Sequence, residues 1–464
     1  MSASRAAHIV VDLGFGDAGK GTLTDWLTRR HDARLVVRFN GGAQAGHNVV
    51  TEDGRHHTFS QFGAGTFVPG VWTHLAHSTV FHPLALRVET RYLAERGVPE
   101  ALSRVTVSER ARVITPFHQA AGRLRELARG DARHGTCGVG VGETVRDALA
   151  HPEDTVLAGD LRDASGLVRK ARAAQERLRG ALEEVLRLTE GLSDAAPERA
   201  LLEDSGVSAR WAEAVRSIEP LQRVVDDAWL GARLRAGTTL FEGAQGVLLD
   251  EWRGFHPHTT WSTCTFEPAL ALLREHGFDG EVHRLGVLRA YATRHGEGPF
   301  PTEDASLAPS LPEPHNGADG WQGGFRVGAF DAVLGRYALE VCGGVDALAV
   351  THLDRLTSRW PVCDAYRAAP GQVGSGEDST LVREAPGSER ITALRPSDSE
   401  RDLDWQARLT RALARCVPER RPLELGGAPE ARVERFLGWV EAALGARVTV
   451  ASRGPTAGDK QPRG

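Results

Sequence analysis

Lysine is almost missing from this 464-residue chain: of 56 Lys and Arg residues, only Lys20, Lys170 and Lys460 are lysines. So strong a habit of writing arginine makes each retained lysine informative. Methionine occurs once and cysteine five times. Cys137, Cys264, Cys342, Cys363 and Cys416 are widely spaced and form no C-x-x-C pair, which argues against a zinc site and a disulfide framework. A surplus of positive charge is missing too. The 61 acidic residues leave a net charge of −5 with no basic block, so no nucleic-acid partner is expected, because phosphate neutralisation needs clustered Lys and Arg. No run approaches the roughly 18 uncharged apolar residues of a membrane helix, so no membrane partner is expected either. The start, MSASRAAHIVVDLGFGD, passes from a short apolar run straight into a Gly-rich loop, as a first strand does and a signal peptide does not. The expected compartment is the cytoplasm.

What is present is an ordinary globular make-up, 41% hydrophobic and 25% charged. His8 to Leu13 reads as a strand, Gly14 to Gly21 as a loop, Thr22 to Arg30 as a helix (Leu23, Trp26, Leu27) and Leu35 to Phe39 as the next strand. That opening predicts an α/β fold with a large, mostly parallel central sheet and flanking helices. Strand-like segments return at 239–241, 284–288, 347–351 and 447–451. Between them, residues 160–236 turn to Arg, Glu, Ala and Leu and predict a helical insertion. Alternation along the whole length favours a single domain over 1–464. The stretch 368–401, rich in Gly, Pro, Ser and charge, is expected as a loop or flap, and 455–464 as a flexible tail.

Two loops carry most of the chemistry. Gly14-Phe15-Gly16-Asp17-Ala18-Gly19-Lys20-Gly21-Thr22 lies between a strand and a helix, where backbone N–H groups, the helix N-terminus and one lysine can all meet an anion. It is not a standard P-loop, because Gly21 stands where Ser or Thr should follow the lysine. By itself it fits a tight strand-to-helix turn equally well; the rarity of lysine favours a phosphate site at Gly16, Gly19, Lys20, Gly21 and Thr22. Asn40-Gly41-Gly42-Ala43-Gln44-Ala45-Gly46-His47-Asn48 follows the second strand, and His47 there suits a general acid or a stabiliser of phosphoryl charge. Both loops fall at the carboxyl ends of parallel strands, where such sheets bind ligands.

Together, GDAGKG and NGGAQAGH resemble the paired GDEGKG and GGHNAGH motifs of the adenylosuccinate synthetase family, GTP-dependent ligases that join IMP to aspartate. The resemblance continues in order through HGTCGVGVG (134–142), FEGAQGVLLD (241–250), AYATRHGEGPFPTE (290–303), THLD (351–354) and SRGP (452–455). It implies that Asp17 removes the N1 proton of IMP and helps hold Mg2+ with the Gly46 carbonyl. It implies that His47 supports transfer of the GTP γ-phosphoryl group to O6, and that Lys20 contacts nucleotide phosphate. The 6-phosphoryl intermediate is then displaced by an amine. Asp354 matches the carboxylate that reads guanine, with Ser452 and Gly454 on the second guanine loop. Gln44, Thr136, Gln245 and Thr260 match IMP-contacting positions, Arg294 and Thr302 lie beside the amine-donor pocket, and a homodimer is implied.

Several positions depart from the family pattern. Ala18 replaces a glutamate, Cys137 a threonine, Val139 an arginine and His352 a lysine. A family arginine that reaches the neighbouring subunit's IMP falls near His151. The largest departure is Gly320-Trp321-Gln322-Gly323-Gly324-Phe325-Arg326-Val327-Gly328, where the family carries a run of arginines that clamp aspartate; only Arg326 remains. Bidentate Arg–carboxylate pairs are strong and geometry-specific, so their loss predicts a remodelled amine-donor pocket. The alternatives left open are a specialised paralogue with another carbonyl acceptor or amine, and a catalytically inactive nucleotide-binding regulator.

Overall fold

A strand covered on both faces needs apolar side chains at nearly every position, and β1 (Ala6–Asp12) has them: Ala7, Ile9 and Val11 enter one core and Val10 the other. The computed structural model describes residues 5–130, 135–218, 223–313, 321–368, 378–385 and 388–464. Nine further strands join β1 in one sheet: β2 (Leu35–Arg38), β3 (Trp72–Leu75), β4 (Val105–Ser108), β5 (Val224–Val225), β6 (Thr239–Glu242), β7 (Glu281–Arg289), β8 (Ala347–Thr351), β9 (Val448–Ser452) and β10 (Lys460–Pro462). Their spatial order is β10-β9-β8-β7-β1-β6-β2-β3-β4-β5, parallel throughout except for the β9–β10 pair. The expected α/β class, with its mostly parallel sheet, is what the chain adopts.

Strand order reverses around β1, with β6 on one side and β7 on the other, so loops from both halves of the chain meet at its carboxyl end. Helix α1 (Lys20–Arg30) returns along the sheet, packing Leu23, Trp26 and Leu27 against Val10, Val36, Leu240 and Val287. At its start, Gly19 provides no side-chain cap, which leaves the first N–H groups without a side-chain acceptor.

Four helices of the 160–236 region, Ala164–Ala181, Glu183–Leu188, Ala196–Glu203 and Val207–Arg216, share a core with the earlier helix Pro116–Arg129, through Phe117, Leu124, Leu167, Leu178 and Trp211, while a fifth, Asp227–Ala236, packs Leu230 and Leu234 into the core beside β1. The region also contains β5, a sheet strand. Two expectations need correction. Within 368–401, Leu381–Arg383 and Arg390–Leu394 are paired strands rather than loop, because Leu381, Ile391 and Leu394 are buried among the charges; 369–377 and 386–387 lie outside the described residues. The tail at 455–464 is tied down as β10, whose buried Lys460 donates from Nζ to the carbonyls of Gly454 (2.8 Å) and Thr456 (2.6 Å).

Candidate functional site

The carboxyl ends of β1, β2, β6, β7, β8 and β9 deliver the sequence motifs to one edge of the sheet. Two glycines allow that convergence. A Cβ on Gly246 of the FEGAQG segment would stand 2.3 Å from the Gly14 carbonyl oxygen and 2.4 Å from the Gly16 nitrogen; a Cβ on Gly21 would stand 2.9 Å from His47 Cβ. The Gly14–Thr22 loop is therefore gripped by the β6 loop on one side and the His47 segment on the other. The Leu248 amide seals the first contact by donating to the Gly14 carbonyl at 3.1 Å. On the far side, Thr22 Oγ1 donates to the Pro455 carbonyl at 2.6 Å, joining α1 to the SRGP segment.

Within the loop, Asp12 is the organiser that sequence reasoning passed over. Its carboxylate accepts from the Gly14 and Ala18 amides, each at 2.8 Å, and from Lys20 Nζ at 3.0 Å; both side chains of this ion pair are buried. A charged residue ending an otherwise apolar strand was the available signal. Asp17 adopts a left-handed backbone (φ 61°), and its carboxyl is raised above the ordinary carboxylate range by burial, with Arg289 and Lys20 pulling it back down.

His47 is 5% exposed, and its Nδ1 lies 2.6 Å from Glu242 Oε1. Glu242 Oε2 accepts from the Ala64 amide at 2.9 Å, and although burial pushes its carboxyl up, His47, Arg38 and that amide together hold it below the ordinary range, so the group is a carboxylate. That assigns the proton to Nδ1 and leaves Nε2 as the basic atom. Burial lowers the imidazole to about 4 despite the neighbouring carboxylate. Glu242 lies inside the quoted FEGAQG motif, yet nothing in its spacing announces a histidine partner 195 residues away.

The positions matched to nucleotide base and acceptor are distributed around this centre. Asp354 is exposed in the turn after β8, with Arg355 Nε at 3.1 Å. Ser452 is buried, its hydroxyl donating to the Gly454 carbonyl at 3.3 Å. Gln44 Oε1 and Gln245 Nε2 are buried beside Gly41 and Gly42 without a partner among the described residues, an open acceptor and an open donor in one place. Thr260 donates its amide to the Leu249 carbonyl at 2.8 Å. Thr136 is exposed, its segment anchored by Glu126, which accepts from the Gly135 amide at 3.0 Å. Gly46 is exposed beside His47.

The residues matched to the donor side are held largely by the protein's own backbone. Arg294 is 1% exposed and lies 4.2 Å over the Phe15 ring, donating to the carbonyls of Glu297 (2.9 Å), Pro299 (3.0 Å) and His258 (3.3 Å). Burial and the neighbouring Arg326 lower it to about 9. Arg326 donates to Glu303 Oε2 at 2.9 Å and to the Gly296 and Gly298 carbonyls at 2.7 and 3.0 Å. Thr302 Oγ1 is buried without a partner among the described residues. Trp321 packs on Gly138 of the 135–142 segment; His134 and Gly320 lie outside the described residues.

A parallel sheet that brings an uncapped helix start, a buried lysine and a carboxylate–histidine pair to its switch point defines an α/β protein with polar groups gathered where such sheets take ligands. The chain belongs to the adenylosuccinate synthetase family, whose model matches residues 9–459. Adenylosuccinate synthetase from Prochlorococcus marinus (strain MIT 9303) is 36% identical over 368 residues, covering 78% of this chain and 79% of the relative. That from Desulforamulus reducens is 34% identical over 386 residues, covering 82% and 83%. Among solved structures, fully ligated adenylosuccinate synthetase from Plasmodium falciparum shares the fold at 18% identity, with a TM-score of 0.74 over 98% of this chain and 99% of that one. Cyanophage S-2L succinoaminodeoxyadenylate synthetase, bound to dGMP and to dATP as an energy donor, also shares it, at 19% identity, covering 99% and 95%, with a TM-score of 0.58. The family is one of GTP-dependent ligases that form a C–N bond between small-molecule substrates.

Proposed function

We propose that this protein is a GTP-dependent C–N ligase that activates a purine carbonyl by phosphorylation, in the family manner: IMP, L-aspartate and GTP giving adenylosuccinate, GDP and phosphate, with the amine-donor pocket altered. The observation that carries this reading is the meeting of Asp17, Lys20 and the His47–Glu242 pair at one strand edge. Asp17, raised by burial, takes the N1 proton of the base; O6 then attacks the γ-phosphorus and GDP leaves. The amine attacks C6 and phosphate departs. An anion arriving at His47 Nε2 favours its protonation, and Glu242 balances the imidazolium. Lys20 and the uncapped start of α1 meet phosphate charge. Asp354, with Ser452 and Gly454, reads guanine, since a carboxylate matches its N1–H and N2–H donors and adenine presents no matching donor pair at N1 and C2.

Magnesium fits the donor set. The Asp17 carboxylate accepts no hydrogen bond among the described residues, and with the Gly46 carbonyl it offers hard oxygen ligands of the kind Mg2+ takes alongside nucleotide phosphates. When bound, the ion neutralises phosphate charge during transfer. No cluster of three or more His, Cys, Asp or Glu among the described residues offers a separate metal cage.

A second reading, a different amine, is favoured by the engagement of Arg294 and Arg326 with backbone carbonyls and Glu303, which ties every nitrogen of Arg294 and both terminal nitrogens of Arg326 to acceptors of the protein itself. The catalytically inactive regulator is disfavoured by the intact Asp17, Lys20 and His47 set. A cytoplasmic homodimer is the family expectation, and no described helix is long and apolar enough to cross a membrane. The deciding experiment supplies GTP, Mg2+ and IMP with aspartate and with a panel of other amines, following adenylosuccinate absorbance and phosphate release. Product with aspartate supports the family reaction; phosphate release with another amine alone supports the altered pocket. No turnover with any amine, with Asp17→Asn equally silent, supports the regulator.

A further inference from the structure

Asp17 is the one non-glycine residue of the Gly14–Lys20 loop with a positive φ (61°), between Gly16 at 93° and Gly19 at 90°. A left-handed conformation is unfavourable for a residue with a Cβ and persists where surrounding groups hold it. The side chain that grips the Asp17 backbone is Arg289, from the end of β7: its Nε donates to the Asp17 carbonyl at 2.6 Å across 272 residues of sequence. Arg289 is itself fixed. It is 8% exposed, Nη1 donates to the Tyr291 hydroxyl at 3.1 Å, and both terminal nitrogens reach the Glu313 carboxylate, Nη2 at 3.4 Å. Tyr291 donates in turn to Glu313 at 2.7 Å, and the Phe325 ring lies 5.8 Å from the guanidinium carbon. A buried guanidinium oriented by three neighbours is a more rigid anchor than a loop can supply for itself.

We propose that Arg289 is a positioning residue for Asp17: clamped by Glu313 and Tyr291, its guanidinium holds the Asp17 peptide carbonyl and thereby the left-handed turn that presents the Asp17 carboxyl to substrate. This rests on the reading of Asp17 as the proton acceptor. Lys20 has its own holder in Asp12, so nucleotide phosphate binding does not run through Arg289.

The test compares Arg289→Met, Arg289→Lys and Asp17→Asn, singly and combined, in the full-length protein, reading kcat with Mg2+ present, the Kd for GTP with Mg2+ removed so that Asp17 has no ion to hold, and amide hydrogen exchange at residues 14–19. Arg289→Met is expected to lower kcat by about a hundredfold, the cost of misplacing a reacting group by an ångström or so, with the Kd for GTP changed less than about threefold. It is expected to speed exchange at 14–19 by about tenfold and leave β1 unchanged. Arg289→Lys recovers part of both losses, and adding Arg289→Met to Asp17→Asn lowers kcat no further. Unchanged exchange at 14–19, or losses of kcat that multiply in the double variant, overturns the proposal. If the wild-type protein turns over no substrate, the ligase reading fails, and the exchange measurement still decides the clamp: faster exchange in Arg289→Met reversed by Arg289→Lys upholds it, and equal exchange refutes it.

Discussion

Three histidines stack at the opposite end of the sheet from the candidate site: His8 on β1 lies 4.1 Å from His31, just past α1, and 4.6 Å from His283, its register partner on β7. Burial, with His31 and His283 adding repulsion, lowers His8 from 6.5 to about 3. The folded state therefore resists protonating a group that the unfolded chain protonates readily. Above pH 6.5 both states are neutral and His8 contributes no pH dependence. As pH falls from 6.5 toward 3, the unfolded state takes up the proton and the folded state does not, so stability is lost at about 1.4 kcal/mol per pH unit. At pH 5 the loss assigned to His8 is about 2 kcal/mol. His8→Gln keeps a polar side chain of similar size and removes the titration. Urea unfolding followed by tryptophan fluorescence at pH 7.5 and pH 5 is the assay. The variant is expected to lose about 2 kcal/mol less than the wild type between those two values. The comparison cancels the other histidines, including His74, which burial also lowers to about 3. Equal acid sensitivity in both proteins would refute the assignment of strain to this stack.

Three further outcomes follow from the site. Glu242→Gln removes the charge that balances a protonated His47 and is expected to lower phosphate release by about a hundredfold, measured as kcat, with GTP binding retained. Lys20→Met leaves Asp12 buried and unpaired, so a stability loss of about 3–5 kcal/mol is expected in urea unfolding; adding Asp12→Asn should recover part of it, and no recovery would mean the pair is not the cause. Asp354→Asn replaces a charged acceptor on the guanine edge and is expected to lower kcat/KM for GTP by about 10- to 100-fold while changing that for ATP little, which competition between the two nucleotides would reveal.

How much of this was legible beforehand differs from residue to residue. The first strand, its loop and α1 were readable because their apolar spacing is local: Leu23, Trp26 and Leu27 mark one helix face whatever they pack against. The strands at 239–242, 347–351 and 448–452 were found within a residue or two for the same reason. The pair of strands at 381–383 and 390–394 was hidden because three buried apolar residues there are outnumbered by charges and glycines. The strand at 460–462 was hidden because its anchor is a lysine, a residue type that reads as surface.

The sequence by itself determined which chemical groups are available: a single lysine in a Gly-rich loop, a histidine in a second loop, and one arginine, Arg326, in a third Gly-rich stretch. These are matters of composition and short spacing, which need no knowledge of the chain's path. Tertiary structure alone decided what those groups do to one another. Glu242 becomes the partner of His47 across 195 residues, Arg289 holds Asp17 across 272, and Arg294, which resembled a donor-pocket contact, turns its guanidinium onto three backbone carbonyls. The physical reason is burial. A charge removed from water takes the nearest compensating group that the fold supplies, and that group is chosen by the order of strands in the sheet.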